Sequence, residues 1–298
     1  MTEQATHSHE VAASSTPPPR GRRSLIGLLV LPAVILLIVI CAYPLFVLLS
    51  KSVGDADPAW YSTYQSALTD TTVLKVLWRT LVMGVIVTLV TLLLGYPYAY
   101  VMTRVSPTWR GILVALVLLP FWTSLMARTF AWYVLLQDNG VINNLLGFIH
   151  LGPFSLIRTS TGVTIAMAQV LLPFMVLPLY GTLSKIDPKL TDAAIGLGAP
   201  PRTAWRKVYL PLSKPGIIAG TTLVFILSLG FFITPKLLGS PKESMISQLI
   251  DQQVSRLTDF GSAGALSLIL LVVTGLLLLL MSRVVKPSAA LGVGGAEE

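Results

Sequence analysis

The residues best suited to chemistry lie in one charged segment, residues 187–211, between two long apolar runs. Pro188 suits the first turn of a helix, where its missing N–H costs nothing. Gly198 is suited to end that helix in the left-handed conformation. Pro201 can begin a second short helix, which we expect to stop at Pro211. The spacing therefore predicts a helix-turn-helix, and an ordered basic insert of this kind indicates docking to another protein.

Groups that could catalyse a reaction are scarce. The three histidines, His7, His9 and His150, fall outside every long apolar run, and no Asp or Glu lies inside one. An intramembrane protease would need a Ser–His pair or paired aspartates there, and a metal centre would need clustered ligands. No G-x4-G-K-[ST] motif is present to cradle phosphates. The single cysteine, Cys41, cannot form an intrachain disulfide. We therefore expect neither an enzyme nor a cofactor site.

Composition indicates that the chain lies in a membrane. Of its 298 residues, 54% are hydrophobic and 11% are charged, whereas a soluble domain carries about 25% charged residues. Six apolar runs are long enough to span a bilayer, which takes about 20 helical residues. Because backbone groups cannot stay unpaired in lipid, we expect each run to be helical. The predicted spans are 25–49, 80–102, 112–136, 162–183, 217–237 and 265–282.

The predicted fold is thus all-α, with one six-helix membrane domain at 24–286 between polar tails at 1–23 and 287–298. The segments 51–79, 137–161 and 238–264 connect spans and carry short helical patterns. In the last of them, apolar residues recur at helical spacing. This stripe suits a helix that caps the bundle or lies on the membrane surface, and contact with an external partner protein is the alternative. Its residues are Met245, Ile246, Leu249, Ile250, Val254 and Leu257.

The distribution of positive charge predicts the orientation. Cytoplasmic loops of membrane proteins are enriched in Lys and Arg. With six spans, thirteen of the 21 Lys and Arg residues fall on the side of the two termini. This side is therefore expected to be the cytoplasm. The thirteen are Arg20, Arg22, Arg23, Arg104, Arg110, Lys185, Lys189, Arg202, Arg206, Lys207, Lys214, Arg283 and Lys286.

The spacing within residues 192–211 resembles the EAA loop of binding-protein-dependent ABC importer permeases, E-A-A-x3-G-x9-I-x-L-P. Asp192 stands at the Glu position and Val208 at the Ile position. The remaining matches are Ala193, Ala194, Gly198, Leu210 and Pro211. A basic loop held by lipid head groups and a DNA-binding helix-turn-helix are alternatives that explain less of the pattern.

This resemblance implies a coupling helix that sits in a groove of an ATPase subunit. Gly198 would allow close backbone approach, and Asp192 would meet the ATPase edge. Charge contacts would come from Arg202, Arg206 and Lys207. The implied partners are two ATPase subunits that bind ATP and Mg²⁺, a second permease chain and an external solute-binding protein. The implied location is the bacterial inner membrane.

Two further stretches, residues 119–144 and 231–239, look like polyamine-type permeases. The resemblance implies spermidine or putrescine as the solute, or a related small solute such as an opine. Aromatic faces can hold cations, so a translocation path is one interpretation of five residues, and a structural or interfacial role is the other. They are Phe121, Trp122, Arg128, Trp132 and Tyr133. Arg128 lies within a predicted span, where a charge usually faces a cavity or snorkels to the surface.

The function predicted from the sequence is that of a transport subunit working by alternating access and driven by a partner ATPase. An ATP-independent channel or secondary carrier is the alternative from another class. Prolines within the spans, such as Pro97 and Pro173, suit helices that rock between two openings. They equally suit static shaping of packed helices.

Overall fold

The computed structural model describes residues 22–54, 61–150, 152 and 154–284. Every regular element within these ranges is helical. Most of the predicted tails, 1–23 and 287–298, lies outside the described residues. Five helices are long and apolar enough to cross a membrane, and a sharply bent helix pair makes a sixth if it counts as one span.

Helix α1 (Arg22–Gly54) is described here by itself. It contains Pro32 and Pro44, and apolar side chains along it are exposed, for example Leu37 and Phe46. Apolar side chains of this kind suit contact with lipid or with another membrane chain.

Among the described residues that follow α1, three long helices form the core: α3 (Thr71–Arg104), α7 (Ser160–Leu183) and α10 (Leu210–Leu229). Helix α7 is the most buried of the membrane-length helices in the described ranges. Small residues let these helices approach closely. Close packing of this kind is usual in membranes, because helices surrounded by lipid gain nothing from the hydrophobic effect when they associate. A Cβ atom at Gly95 or at Gly220 would lie within 3 Å of Met175 side-chain atoms, and one at Gly216 would lie within 3 Å of Thr182.

Shorter helices surround this core. They are α2 (Ser62–Thr69), α4 (Pro107–Leu118), α5 (Leu125–Leu135), α6 (Val141–Phe148), α8 (Pro188–Gly196), α9 (Pro201–Ala204), α11 (Ile233–Leu238) and α12 (Ile246–Ser255). The last membrane-length helix is α13 (Phe260–Val284).

Helix α12 confirms the amphipathic stripe in part: its first turns pack on the bundle, whereas Val254 is 37% exposed and Leu257, beyond the helix end, is 59% exposed. Ile246 is fully buried and packs with Val73, Val76 and Leu266 of helices α3 and α13. The backbone N–H of Ile246 donates to the Thr80 hydroxyl at 2.9 Å. This bond pairs a donor that the first turn of α12 would otherwise leave free.

The predicted continuous span 112–136 is wrong in detail. The chain bends by 100° between residues 107–122 and 125–135. Proline removes a backbone donor and crowds the preceding turn, and here the residues Leu119–Trp122 tighten into a 3₁₀ turn that contains Pro120. Thr123 then takes an extended conformation before α5 begins at Leu125.

The predicted span 217–237 is also wrong at both ends. Helix α10 begins before it, at Leu210, and ends at Leu229. The chain resumes helical structure only at Ile233, in the short helix α11. The sequence pattern missed this break because Phe231 and Phe232 continue the apolar run while the backbone leaves the helix.

Candidate coupling segment and path residues

Helix α8 begins and ends as the sequence predicts. The Asp187 side chain accepts a hydrogen bond from the Lys189 N–H at 2.9 Å, and Pro188 occupies the first turn. At the other end, Gly198 has φ of +89°. The Gly198 N–H donates to the Ile195 carbonyl at 2.9 Å, and the Ala199 N–H donates to the Ala194 carbonyl at 3.1 Å. This pair of bonds is the Schellman motif, which closes a helix on a left-handed glycine.

The second part of the segment differs from its prediction, because no helix stops at Pro211. Helix α9 passes into a π-helical turn, Trp205–Tyr209, and then directly into α10. The Leu210 N–H donates to the Trp205 carbonyl, five residues back. Such a turn is wider than an α-helical one. This wider turn precedes Pro211, so the proline lies inside a continuous helix rather than ending one.

The 187–211 segment exposes both apolar and positively charged side chains. Leu197 is 90% exposed, and Leu190 and Ile195 are also exposed. Asp192 and Ala193 are exposed, while Ala194 is half-buried. The basic residues Arg202, Arg206 and Lys207 are exposed, as is Pro211, and Leu210 is half-buried. Exposed apolar residues on a charged segment are typical of a surface that another protein covers.

Aromatic contacts join this surface to helix α3. The Trp205 ring meets Tyr96 edge-on at 6.2 Å between ring centres, and the Tyr209 ring meets Tyr100 edge-on at 5.4 Å. The hydroxyls of Tyr96 and Ser213 lie 3.2 Å apart. Sequence analysis missed these anchors. The signal was present, because Tyr96 and Tyr100 are four residues apart and therefore share a helix face.

The five predicted path residues make different local contacts. Phe121 packs on Phe174 at 5.3 Å between ring centres, whereas Trp122 is 79% exposed. The indole N–H of Trp132 donates to Gln169 at 3.3 Å. Tyr133 stacks on the neighbouring ring of Phe130.

Arg128 has a contact set that sequence analysis did not foresee. Its guanidinium donates to the carbonyls of Pro120 and Thr123, the latter at 2.9 Å, and Nε donates to the Thr123 hydroxyl at 3.2 Å. Both carbonyls lie at the break between α4 and α5, and the Pro120 carbonyl also accepts from the Thr123 N–H at 3.2 Å and from the Thr123 hydroxyl at 2.9 Å. Arg128 therefore holds the bend. A direct role of the five residues in translocation stays a prediction.

The described residues contain no cluster of His, Cys, Asp and Glu that could hold a metal ion. They contain a bundle of membrane-length helices, and the exposed 187–211 segment lies between α7 and α10 along the chain. These features define an integral membrane protein of the helical-bundle class.

Residues 92–289 match the family described as binding-protein-dependent transport system inner membrane component, and the chain belongs to this family. It is 39% identical over 203 residues to the spermidine/putrescine transport system permease protein PotB of Haemophilus influenzae, covering 66% of this chain and 70% of that one. It is 35% identical over 218 residues to PotB of Escherichia coli K12, covering 72% and 79%.

A solved structure shares the fold. A chain of a bacterial alginate ABC transporter, crystallised with a periplasmic protein that carries an alginate pentasaccharide, superposes with a TM-score of 0.70. The match covers 90% of this chain and 96% of that one at 18% identity. At this identity the likeness concerns the arrangement of helices alone.

Proposed function

We propose that this chain is a permease subunit of an ABC importer for polyamines, spermidine or putrescine, in the bacterial inner membrane. The observation that carries the proposal is the identity of 39% to a spermidine/putrescine permease over two thirds of this chain. The family match covers residues 92–289 and so includes the 187–211 segment. The proposal therefore includes both a polyamine as the solute and ATP hydrolysis on a partner subunit as the energy source.

In this proposal the chain has six spans and both termini lie in the cytoplasm. The bent pair α4 and α5 counts as one broken span, which is tolerated in a membrane where the freed backbone groups find partners. Arg128 supplies such partners at the break. The excess of Lys and Arg on the side of the 187–211 segment supports this orientation.

Helix α8 is proposed as the coupling helix that enters a groove of the partner ATPase. The exposed apolar residues Leu190, Ile195 and Leu197 would fill the groove, and Arg202, Arg206 and Lys207 would make charge contacts. The left-handed Gly198 holds the turn that follows α8. Helix α8 packs against α9 and the π-turn, which continue into α10 without interruption, so a push on α8 would pass to a core helix. The ATPase subunits would bind ATP and Mg²⁺.

One chain of this size forms half of a transport pathway, so a second permease chain is part of the proposal. An external solute-binding protein would deliver the polyamine and set most of the selectivity. Trp132 and Tyr133 would offer aromatic faces to a passing cation.

Uptake of labelled spermidine into proteoliposomes tests the solute. The vesicles would hold this chain, its partner permease and the ATPase, with the binding protein outside and ATP inside. We expect accumulation that unlabelled putrescine reduces and that an uncharged sugar does not. Accumulation of equal size without ATP would show a channel or carrier instead, and accumulation of another solute only would remove the polyamine assignment.

A further inference from the structure

A polar cavity of about 270 Å³ lies beside the 187–211 segment and plays no part in the function proposed above. It opens where the turn after α3, the end of α7, the start of α8 and the π-turn meet. Its polar lining residues are Thr103, Arg104, Arg110, Tyr180, Ser184 and Tyr209.

The charge of this cavity is wholly positive. The guanidinium groups of Arg104 and Arg110 line it, and no Asp or Glu does. Within the described ranges, neither Arg104 nor Arg110 forms an ion pair. Asp187, between the lining residues Ile186 and Pro188, accepts the Lys189 N–H at the start of α8. Guanidinium groups without a carboxylate form a site for a phosphate group. The Thr103 and Ser184 hydroxyls of the lining donate to the Tyr100 and Gly181 carbonyls.

The two arginines are held in place by neutral groups. The Arg110 guanidinium donates to the carbonyls of Met102, at 3.2 Å, and Val105, at 3.5 Å. The guanidinium carbon of Arg104 lies 5.3 Å from the centre of the Tyr100 ring. These contacts orient both groups while leaving their charges without a counter-ion.

The position of the cavity favours a lipid as the source of the phosphate. Arg104 ends a membrane-length helix, and Arg110 lies in the first turn of α4. Trp109 beside it is 62% exposed and Ile112 is 48% exposed. An exposed Trp next to arginines at the end of an apolar helix is typical of the membrane interface. Basic pockets between membrane helices on the cytoplasmic side bind anionic head groups.

We propose that this cavity binds the phosphate of an anionic phospholipid of the inner leaflet. The leaflet assignment rests on the orientation proposed above. Tyr209 belongs to the π-turn and Pro188 begins α8, and both line the cavity. A bound head group would therefore tie the membrane surface to both halves of the 187–211 segment.

Native mass spectrometry of the purified full-length chain tests the proposal with phosphatidylglycerol as the probe. We expect the wild type to retain phosphatidylglycerol in preference to phosphatidylcholine, and Arg104→Gln with Arg110→Gln to weaken retention by about tenfold. Arg283→Gln removes one charge from the exposed end of α13, so it is the matched control for Arg104→Gln alone, and it should retain the lipid. Since Arg110 also bonds to the backbone, Arg104→Gln alone serves as the second variant.

Two results would overturn the proposal. One is equal retention of phosphatidylglycerol by the wild type and both Arg104 variants. The other is displacement of the lipid by inorganic phosphate, which would make the cavity a site for free phosphate. The measurement needs neither solute nor ATP, so failure of the polyamine assignment leaves its outcome interpretable.

Discussion

At the scale of single residues, Gly198 is the position where the backbone demands one residue type. Its φ of +89° lies in the left-handed region, and a Cβ there would meet no atom within 4 Å. Any cost of a side chain is therefore a backbone cost, about 1–2 kcal/mol. Gly196, two residues earlier, ends a regular helix and also has open space around a Cβ.

These two glycines form a matched pair of variants. We expect Gly198→Ala to lower polyamine-stimulated ATP hydrolysis severalfold in the assembled transporter, because the turn after α8 shifts. Gly196→Ala should leave it unchanged, since alanine favours a helix. Equal activity in both variants would show that the left-handed turn is dispensable for coupling.

Arg128 makes a second prediction at this scale. Arg128→Met removes the side-chain donors to the Pro120 and Thr123 carbonyls. The Pro120 carbonyl keeps the Thr123 N–H and hydroxyl, so the main loss falls on the Thr123 carbonyl, and losing a hydrogen bond in lipid is costly. We expect a lower midpoint of thermal unfolding in detergent, with partial recovery in Arg128→Lys. Arg283→Met is the control, because Arg283 is exposed at the end of α13. The same midpoint for Arg128→Met and the control would contradict the bend-holding role.

At the scale of elements, the ends of α8 could be predicted because they depend on local chemistry. Asp187, Pro188 and Gly198 each specify a backbone conformation by themselves. The break at residues 123–124 could not be placed, since a proline in an apolar run is compatible with a kink as well as a break. The side chain that contacts the break, Arg128, lies five residues further along and donates to the Pro120 and Thr123 carbonyls.

The contact between α7 and α10 gives an element-scale prediction. A Cβ at Gly216 would lie 2.8 Å from Thr182 side-chain atoms and 3.2 Å from the Pro178 carbonyl oxygen. Gly216→Ala should therefore destabilise the bundle by about 1–3 kcal/mol, the usual cost of overpacking. Gly275→Ala on α13, where a Cβ meets nothing within 4 Å, should not. Thermal unfolding of both variants would decide, and equal midpoints would argue against a tight helix contact.

At the scale of the whole molecule, composition and charge distribution were sufficient to predict an all-helical membrane protein. Which side each loop faces depends on the bilayer, so labelling must test it. In a chain with Cys41→Ala, Leu197→Cys should react with a membrane-impermeant thiol reagent from the cytoplasmic side. Phe148→Cys on α6, which is similarly exposed, should react only from the outside. The reverse pattern would invert the proposed orientation.

The aromatic anchors of the 187–211 segment show why the rest of the site could not be predicted. Tyr96 and Tyr100 are more than a hundred residues from Trp205 and Tyr209 along the chain, yet their rings are in contact. Spacing along one helix identifies a shared face, but it does not identify which distant element packs there. The placement of Arg104 and Arg110 beside one cavity follows from the same tertiary packing.

The central claim is that ATP hydrolysis on a partner drives polyamine uptake through the 187–211 segment. Its most direct test measures ATP hydrolysis and spermidine uptake in the same proteoliposomes, with wild type and Gly198→Arg compared at equal assembly. The wild type should show hydrolysis stimulated by spermidine-loaded binding protein together with ATP-dependent uptake, and Gly198→Arg should lose both. Stimulated hydrolysis and uptake of wild-type size in Gly198→Arg would contradict the claim.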